Sequence, residues 1–253
     1  MNFAAGSDFD ALERNGTLSD CQSCGSTDCG FKRIGNEALA VKFHNLERGE
    51  CLECVEGACL RFWNVIDGYA ATTTLFRDGR RQILSIERSG DTVCGAMATE
   101  ESEQKLEALT GCRICELDLS PIAAQLLKNA SFLAMTARLM HERLEKSMAH
   151  AAVLGRLDSQ ERITYFLAEM AFQQGSSGTL VTLPMSREDI ADYLGLNTDS
   201  VSRVLSRIRK SGLFRFLSPT EYTMPDIGAV ARRLPVALPI GSASINFSGG
   251  QAS

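Results

Sequence analysis

The clearest hydrophobic periodicity of the chain runs from about residue 130 to 154 and predicts one long helix. Small and apolar residues recur there at alternating spacings of four and three, as on the contact face of a two-stranded coiled coil. They are Leu133, Ala137, Met140, Leu144, Ser147, Ala151 and Leu154. Phe132, Met135 and Leu139 form a second apolar stripe that can hold an upstream domain. We interpret the segment as a dimerisation helix, and the alternative is a buried core helix.

Upstream of this helix, residues 34–118 show short β-rich runs separated by glycines. Asp78-Gly79 lies between the runs ATTTLF and RQILSI and is a strong hairpin signal. Regular turns of this kind predict a small antiparallel roll or barrel rather than a parallel sheet. Ser120 is expected to cap the start of the helical region, with Pro121 after it, and Asn129 is expected to interrupt that region.

Downstream, Gly155 is expected to end the long helix, and a second amphipathic helix follows to about residue 174. Asp158 and Glu161 have capping-box spacing at its start. Residues 179–183 read as a short strand.

The segment MSREDIADYLGLNTDSVSRVLSRIRKSGLF predicts a helix-turn-helix. Ser186 and Asp189 have capping spacing for the first helix, and residues 194–197 form a tight turn. Thr198 is expected to cap the second helix, whose inward positions are Val201, Leu205 and Ile208. A two-stranded wing is expected between residues 214 and 224. A helical hairpin with a solvated charged face is the alternative.

The outer face of the second helix carries residue types that read DNA: Thr198, Asp199, Ser202 and Arg203. Arg203 can bind guanine O6 and N7 in bidentate fashion, Asp199 can accept from cytosine N4, and Ser202 can contact a base or a phosphate. Basic side chains further along are expected to neutralise phosphates, which adds affinity without base preference. They are Arg207, Arg209 and Lys210.

Composition is that of a globular protein, with 253 residues, 44% of them hydrophobic and 23% charged. The net charge of −5 hides a positive segment, because residues 203–215 include five basic side chains and no acidic one. No apolar run approaches the roughly 18 residues of a membrane span, and the N-terminus lacks signal-peptide features. We therefore expect a cytoplasmic protein without membrane contact.

Nine cysteines without an export signal favour metal or cluster ligation over disulfides. Cys21, Cys24 and Cys29 have C-x2-C-x4-C spacing in a polar loop, where they can converge on one centre and need a fourth ligand. The same spacing recurs among apolar residues, where burial is the preferred interpretation and a second metal site or a redox pair stays open. Those cysteines are Cys51, Cys54 and Cys59, and Cys94 and Cys112 are expected in the core as well.

Together these segments resemble the fumarate and nitrate reductase regulator (FNR) branch of the CRP/FNR superfamily of bacterial transcription factors. The resemblance covers nearly the whole chain to about residue 233. The stretch Asp199-Ser200-Val201-Ser202-Arg203 looks like the family's Glu-x-x-Ser-Arg recognition motif. Asp199 stands where the family has Glu, and this shorter side chain leaves the base preferred at that half-site position open.

The resemblance implies an oxygen-labile [4Fe-4S] cluster held by three N-terminal cysteines and one at the end of the roll. Residue by residue these are Cys21, Cys24, Cys29 and Cys115, since RICELDL resembles the family's Val-Cys-Glu-Ile stretch. The third cysteine follows after four residues where well-known members have five, so cluster geometry and oxygen response are expected to differ. The segment GDTVCGAMATEESEQKLEA lacks the arginine of the cyclic-nucleotide cassette, which predicts no cyclic nucleotide binding.

These inferences predict an α+β fold with five parts. They are a cysteine cluster loop (1–33), an antiparallel, cyclic-nucleotide-binding-like β-roll (34–118), a dimerisation helix region (119–155), a winged helix-turn-helix (156–233) and a disordered tail (234–253). The predicted function is an oxygen-responsive regulator that binds an inverted-repeat DNA site as a homodimer, with RNA polymerase as a further partner. Rival interpretations are the same regulator sensing nitric oxide, a haem ligand or thiol oxidation, and an enzyme using C-x-x-C as a redox pair. The enzyme needs a βαβ frame that the sequence lacks, so we expect no enzyme.

Overall fold

The computed structural model of the chain describes residues 15–16, 40–53, 60–95, 103–175 and 180–236. It divides into two compact units, one ending at His150 and the other beginning at Ala151. The predicted ligands Cys21, Cys24 and Cys29 lie outside the described residues, as do Cys54 and Cys59. Within the described part, no helix combines the length and the apolar character that crossing a membrane requires.

The first unit is built on two antiparallel sheets, which confirms the predicted roll. Its strands are β1 (Asn15–Gly16), β2 (Ala40–Leu46), β3 (Cys51–Glu53), β4 (Arg61–Asp67), β5 (Tyr69–Leu75), β6 (Arg81–Arg88), β7 (Thr92–Cys94), β8 (Glu103–Ala108) and β9 (Cys112–Asp118). One sheet has the order β1-β2-β9-β4-β7 and the other the order β3-β8-β5-β6. β1 lies inside the segment that the sequence assigned to a cysteine loop, and it pairs with β2.

Alternation along the strands decides which cysteines are buried. Cys112 is buried in the core cluster that also holds Trp63 and Leu106, as predicted. Cys51 is exposed, so its predicted burial is wrong. In the short strand β3 successive side chains point to opposite sides, and Leu52 is the one that packs against this core. Cys94 is only partly buried.

Two glycines with positive φ shape the turns around β5. The predicted hairpin at Asp78-Gly79 is confirmed, and Gly79 has φ +85° in open surroundings. Gly68, at φ +83°, leads from β4 into β5 with its backbone pressed against Gly111. A Cβ at Gly68 would lie 2.2 Å from the Gly111 carbonyl oxygen, so only glycine fits there.

The helical region begins with a 3₁₀ turn (Ser120–Ile122) and α1 (Ala123–Leu126), followed by α2 (Ala130–Arg156). The predicted cap at Ser120 is wrong, because the Asp118 carboxylate accepts from the Ser120 N–H at 2.9 Å. Asn129 interrupts the region as predicted, and its side chain accepts from the Phe132 N–H at 3.1 Å. α2 continues through Gly155, which therefore does not end it.

The second apolar stripe of α2 packs against the roll, as predicted. Phe132 is buried, and Met135 and Leu139 are partly buried against the same cluster. This cluster includes Cys115 of β9 and Leu126 of α1. It is distinct from the cluster around Trp63, so the sheet that contains β9 has an apolar core on each face.

The second unit contains the predicted winged helix-turn-helix. Its elements are α3 (Ser159–Gln173), β10 (Leu180–Thr182), α4 (Arg187–Leu194), α5 (Thr198–Ser211), β11 (Arg215–Phe216), β12 (Glu221–Thr223) and α6 (Ile227–Ala231). The wing has three strands in the order β10-β12-β11 instead of the predicted two. Leu234 is buried, so the chain is still packed where the sequence placed the start of a tail.

Candidate nucleic-acid interface

Side-chain caps define the helix-turn-helix. Ser186 and Asp189 form the predicted capping box at the start of α4, and Gly195 ends that helix in the left-handed region at φ +61°. Asn197 caps α5 by accepting from the Ser200 N–H at 2.7 Å. Thr198 is therefore the first helical residue and not the cap, because the Asn197 amide oxygen reaches that N–H.

The recognition helix α5 separates an apolar face from a polar one. Its predicted inward residues are buried together with Val204: they are Val201, Leu205 and Ile208. The predicted DNA contacts all lie outside this buried face. Ser202 is half-buried and the others are exposed: Thr198, Asp199, Arg203, Arg207, Arg209 and Lys210. One helix thus presents every predicted DNA contact.

A residue that the sequence analysis missed supports the recognition helix. Arg187, at the start of α4, donates from Nη1 to the Ser202 hydroxyl at 3.0 Å. Arg203 donates from Nε to the Asp199 carbonyl oxygen at 3.3 Å, which leaves its two terminal amino groups for a base edge. Its position directly after the cap residue Ser186, at the start of α4, was the sequence feature that could have identified Arg187.

Arg209 is held by the wing. Its guanidinium lies 5.1 Å from the centre of the Phe216 ring of β11, a cation–π geometry. The Phe216 ring packs on Tyr222, whose hydroxyl donates to the Leu167 carbonyl oxygen at 2.5 Å. Arg209 therefore fastens the recognition helix to the wing, in addition to the phosphate contact predicted for it.

Arg162 connects three backbone segments of the second unit through hydrogen bonds of its guanidinium. Its guanidinium donates to three backbone carbonyl oxygens, those of Leu157 at 2.9 Å, Leu194 at 3.0 Å and Leu154 at 2.6 Å. These carbonyls belong to the ends of α2 and α4 and to the turn before α3, where helix geometry leaves acceptors unpaired. One side chain therefore ties the last turn of α2 to the helix-turn-helix.

Cys115, the only predicted cluster ligand among the described residues, is buried in β9 on the side that faces α1 and α2. No three histidine, cysteine or acidic side chains converge as a metal site within the described ranges. The neighbouring Glu116 points to the other side of the sheet, where the adjacent strands β2 and β4 supply its three partners. His44 Nε2 donates to it at 2.9 Å, Trp63 Nε1 donates at 3.1 Å, and Arg61 Nε lies 3.5 Å away.

These contacts hold the pKa of Glu116 well below its ordinary value of 4.5, at about 2. The hydrogen bond from His44 is the largest cause, and the bond from Trp63 and the charge of Arg61 act in the same direction against burial. Elsewhere in β9, burial raises the pKa of the Cys112 thiol. Partial desolvation, with the charge of Glu107 acting in the same direction, also raises the pKa of the exposed Cys51 thiol in β3.

The predicted dimer residues occupy one uncovered stripe of α2. Leu133 is 44% exposed, Met140 42% and Leu144 57%. Ala137, Ser147 and Ala151 are exposed as well, and Leu154 is half-buried. Large apolar side chains at this spacing on an uncovered helix face are typical of helix-pairing surfaces.

A capped recognition helix with a basic outer face and a wing is the DNA-reading unit of a transcription regulator. A family model described as a Crp-like helix-turn-helix domain matches residues 161–233. The nitrogen fixation regulation protein FixK of Bradyrhizobium diazoefficiens is 30% identical over 211 residues, covering 79% of this chain and 87% of that protein. The fumarate nitrate reduction regulatory protein of Klebsiella oxytoca is 24% identical, covering 80% of this chain and 85% of that protein.

Among solved structures, FixK2 from Bradyrhizobium japonicum matches with a TM-score of 0.70 at 24% identity. The match covers 79% of this chain and 100% of that one. The chain belongs to the CRP/FNR superfamily of DNA-binding transcription regulators, which confirms the resemblance drawn from its motifs.

Proposed function

We propose that this regulator binds an inverted-repeat DNA site as a homodimer and that an iron-sulfur cluster controls its pairing. The observation that carries the proposal is the combination of an uncovered coiled-coil stripe on α2 with a recognition helix that exposes its base-reading side chains. RNA polymerase is a further expected partner. Absence of cyclic nucleotide binding stays a prediction, because part of the corresponding segment, residues 96–102, is outside the described ranges.

Pairing through α2 supplies the two recognition helices that an inverted repeat requires. A second copy is the partner that fits the stripe, because the spacing of its residues is that of a two-stranded coiled coil. The small side chains at Ala137, Ser147 and Ala151 reduce the apolar area each pair of helices can bury. We therefore expect a modest affinity, which a signal can shift by a few kcal/mol.

Pairing is tested by sedimentation equilibrium of protein purified without air. Leu144→Asp places a charge in the stripe and is expected to convert dimer to monomer. Leu127→Asp is the matched control, since Leu127 has the same 57% exposure but lies before α2. A Leu144→Asp protein that pairs as tightly as wild type would contradict the proposed interface.

DNA reading is tested on a duplex selected from a pool of random inverted half-sites. Arg203→Ala is expected to lose about 1–3 kcal/mol of binding free energy and to relax preference at one base position. Arg207→Ala is expected to weaken binding to all DNA sequences alike. It should also reduce, by about one, the slope of the logarithm of the binding constant against the logarithm of the salt concentration. Arg138→Ala, in which an exposed arginine of α2 is removed, is the control. Undiminished affinity and base preference in Arg203→Ala would contradict the proposed readout.

The proposed cluster ligands are Cys21, Cys24, Cys29 and Cys115. Support comes from the pairing at the edge of the five-stranded sheet, where Gly16 lies opposite Val41 and Phe43 lies opposite Cys115. The strands that precede and follow the cysteine segment, β1 and β2, therefore belong to the same sheet as β9. Cys21 follows Gly16 by five residues, which span at most about 18 Å, so covalent geometry allows the thiols to meet.

Thiolates fit an iron-sulfur cluster, and apolar surroundings such as those of Cys115 favour one that is protected from water. Such a cluster, when bound, supplies iron-sulfide chemistry that oxygen can destroy. The chain's own contribution is positional, because Cys115 shares a core cluster with Leu126 and Phe132 at the start of the helical region. A change at Cys115 therefore acts on residues that support the pairing helix.

Metal and sulfide analysis after anaerobic purification tests the cluster. Cys115→Ala is expected to lose iron, sulfide and anaerobic DNA binding. Cys112→Ala is the matched control, because Cys112 is also buried in β9 but belongs to the core on the other side of the sheet. Wild-type protein that is free of iron yet binds its DNA would refute the cluster and favour a thiol signal.

A further inference from the structure

A polar cluster connects the roll with α2. Arg143 of α2 donates to the Glu87 carboxylate at 3.1 Å, to the Thr72 hydroxyl at 2.9 Å and to the Ser85 hydroxyl at 3.2 Å. The Thr72 and Ser85 hydroxyls also donate to the same Glu87 oxygen, at 3.2 and 2.5 Å. Glu87 is 2% exposed, so the cluster holds a buried charge.

Strand register places the cluster inside the roll. Thr72 lies opposite Ser85 and Ala70 lies opposite Glu87, so these four side chains share one face of the β5–β6 pair. A β-bulge directly after Thr72 puts one extra residue, Leu84, into β6. Ala70 belongs to the apolar core of the roll, so the Glu87 carboxylate lies beside apolar neighbours and depends on its partners for stabilisation.

Arg143 lies between the two functional faces of α2. Toward the helix start, Phe132 and Leu139 pack against the roll, and beyond Arg143 the Lys146 ammonium bonds the Asp91 carboxylate at 2.9 Å. Leu144, the next residue, belongs to the uncovered stripe. Arg143 is therefore the more deeply buried of these two polar contacts, and at the centre of that stripe it fixes how α2 is rotated about its own axis.

We propose that Arg143 is a positioning residue for dimerisation, acting through Glu87 to set the direction in which α2 presents its pairing stripe. The inference rests on the proposed pairing through α2. The Arg143 guanidinium makes three hydrogen bonds to two strands, and their directions are satisfied at only one rotational setting of the helix. Apolar contacts have no such directional requirement, so they allow the helix to slide against the roll. A displacement of the β5–β6 hairpin is thereby transmitted to the pairing face.

The test separates positioning from stability by comparing single and double variants. Arg143→Met leaves the Glu87 carboxylate buried without its cation, so both stability and pairing are expected to fall. Glu87→Gln with Arg143→Met removes both charges, which is expected to restore the melting temperature while pairing stays weaker by about tenfold, within the usual range of coupling between sites. Arg138→Met is the matched control, since Arg138 bonds only Glu142 of its own helix among the described residues.

Dimer dissociation constants are measured by sedimentation equilibrium well below each melting temperature, on protein purified without air. A double variant that recovers its melting temperature but not its pairing supports the positioning role. A double variant that pairs like wild type overturns it. Wild-type protein that is itself monomeric contradicts the proposed pairing instead, so the two failures are distinguishable.

Discussion

Glu116 offers a direct measurement of how a buried polar cluster stabilises the roll. Its side chain is 18% exposed and its pKa of about 2 compares with an ordinary value of 4.5. At about 1.4 kcal/mol for each pKa unit, the ionised carboxylate contributes roughly 3 kcal/mol to the free energy of unfolding. We expect Glu116→Gln to lose most of this contribution at pH 7.

The sign of the pH dependence follows from the lowered pKa. A carboxyl whose folded pKa lies below its unfolded pKa stabilises the protein fully above the unfolded value, near 4.5. That contribution is lost as the pH falls toward about 2. Wild-type stability should therefore decline more steeply than that of Glu116→Gln between pH 5 and pH 2, and the two curves should converge.

Urea unfolding followed by tryptophan fluorescence is the appropriate assay, because Trp63 is the single tryptophan and donates to Glu116. Asp78→Asn is the control: the hydrogen bond from Arg80 lowers the pKa of Asp78 too, but this carboxylate is exposed to solvent. The control should leave the pH curve almost unchanged. Parallel curves for wild type and Glu116→Gln would refute the assigned role of the cluster.

Two further substitutions test the described geometry. Arg162→Met leaves three backbone carbonyls without their donor, so the free energy of unfolding of the second unit should fall by about 2–4 kcal/mol, measured by thermal unfolding. Arg156→Met, at the exposed end of α2, is the control and should change this free energy little. Gly68→Ala should prevent a stable roll, because its Cβ would lie 2.2 Å from a carbonyl oxygen. Gly79 has a similar φ but lies in open space, so Gly79→Ala should lower the free energy of unfolding by only about 1 kcal/mol. Thermal melting followed by circular dichroism measures both variants. Equal losses within either pair would contradict the contacts described.

Elements that depend on local information could be predicted from the order of the residues alone. The period of three and four along α2 predicted both its uncovered stripe and the stripe that packs against the roll, because a regular helix converts spacing directly into faces. The capping pairs at Asp158 and Ser186 predicted two helix starts for the same reason. The order of residues in α5 was likewise sufficient to place every candidate DNA contact outside the buried face of the helix.

Contacts between side chains that are distant in the sequence could be found only in the folded structure. Arg143 and Glu87 are 56 positions apart and Trp63 and Glu116 are 53 apart, and their contacts depend on strand register and on the bulge after Thr72. Cys51 and Cys112 both lie in short β-rich runs that alternate polar and apolar residues, yet the first is exposed and the second is buried. Periodicity tells which residues share a face of a strand, but the pairing of strands decides whether that face meets the core or solvent.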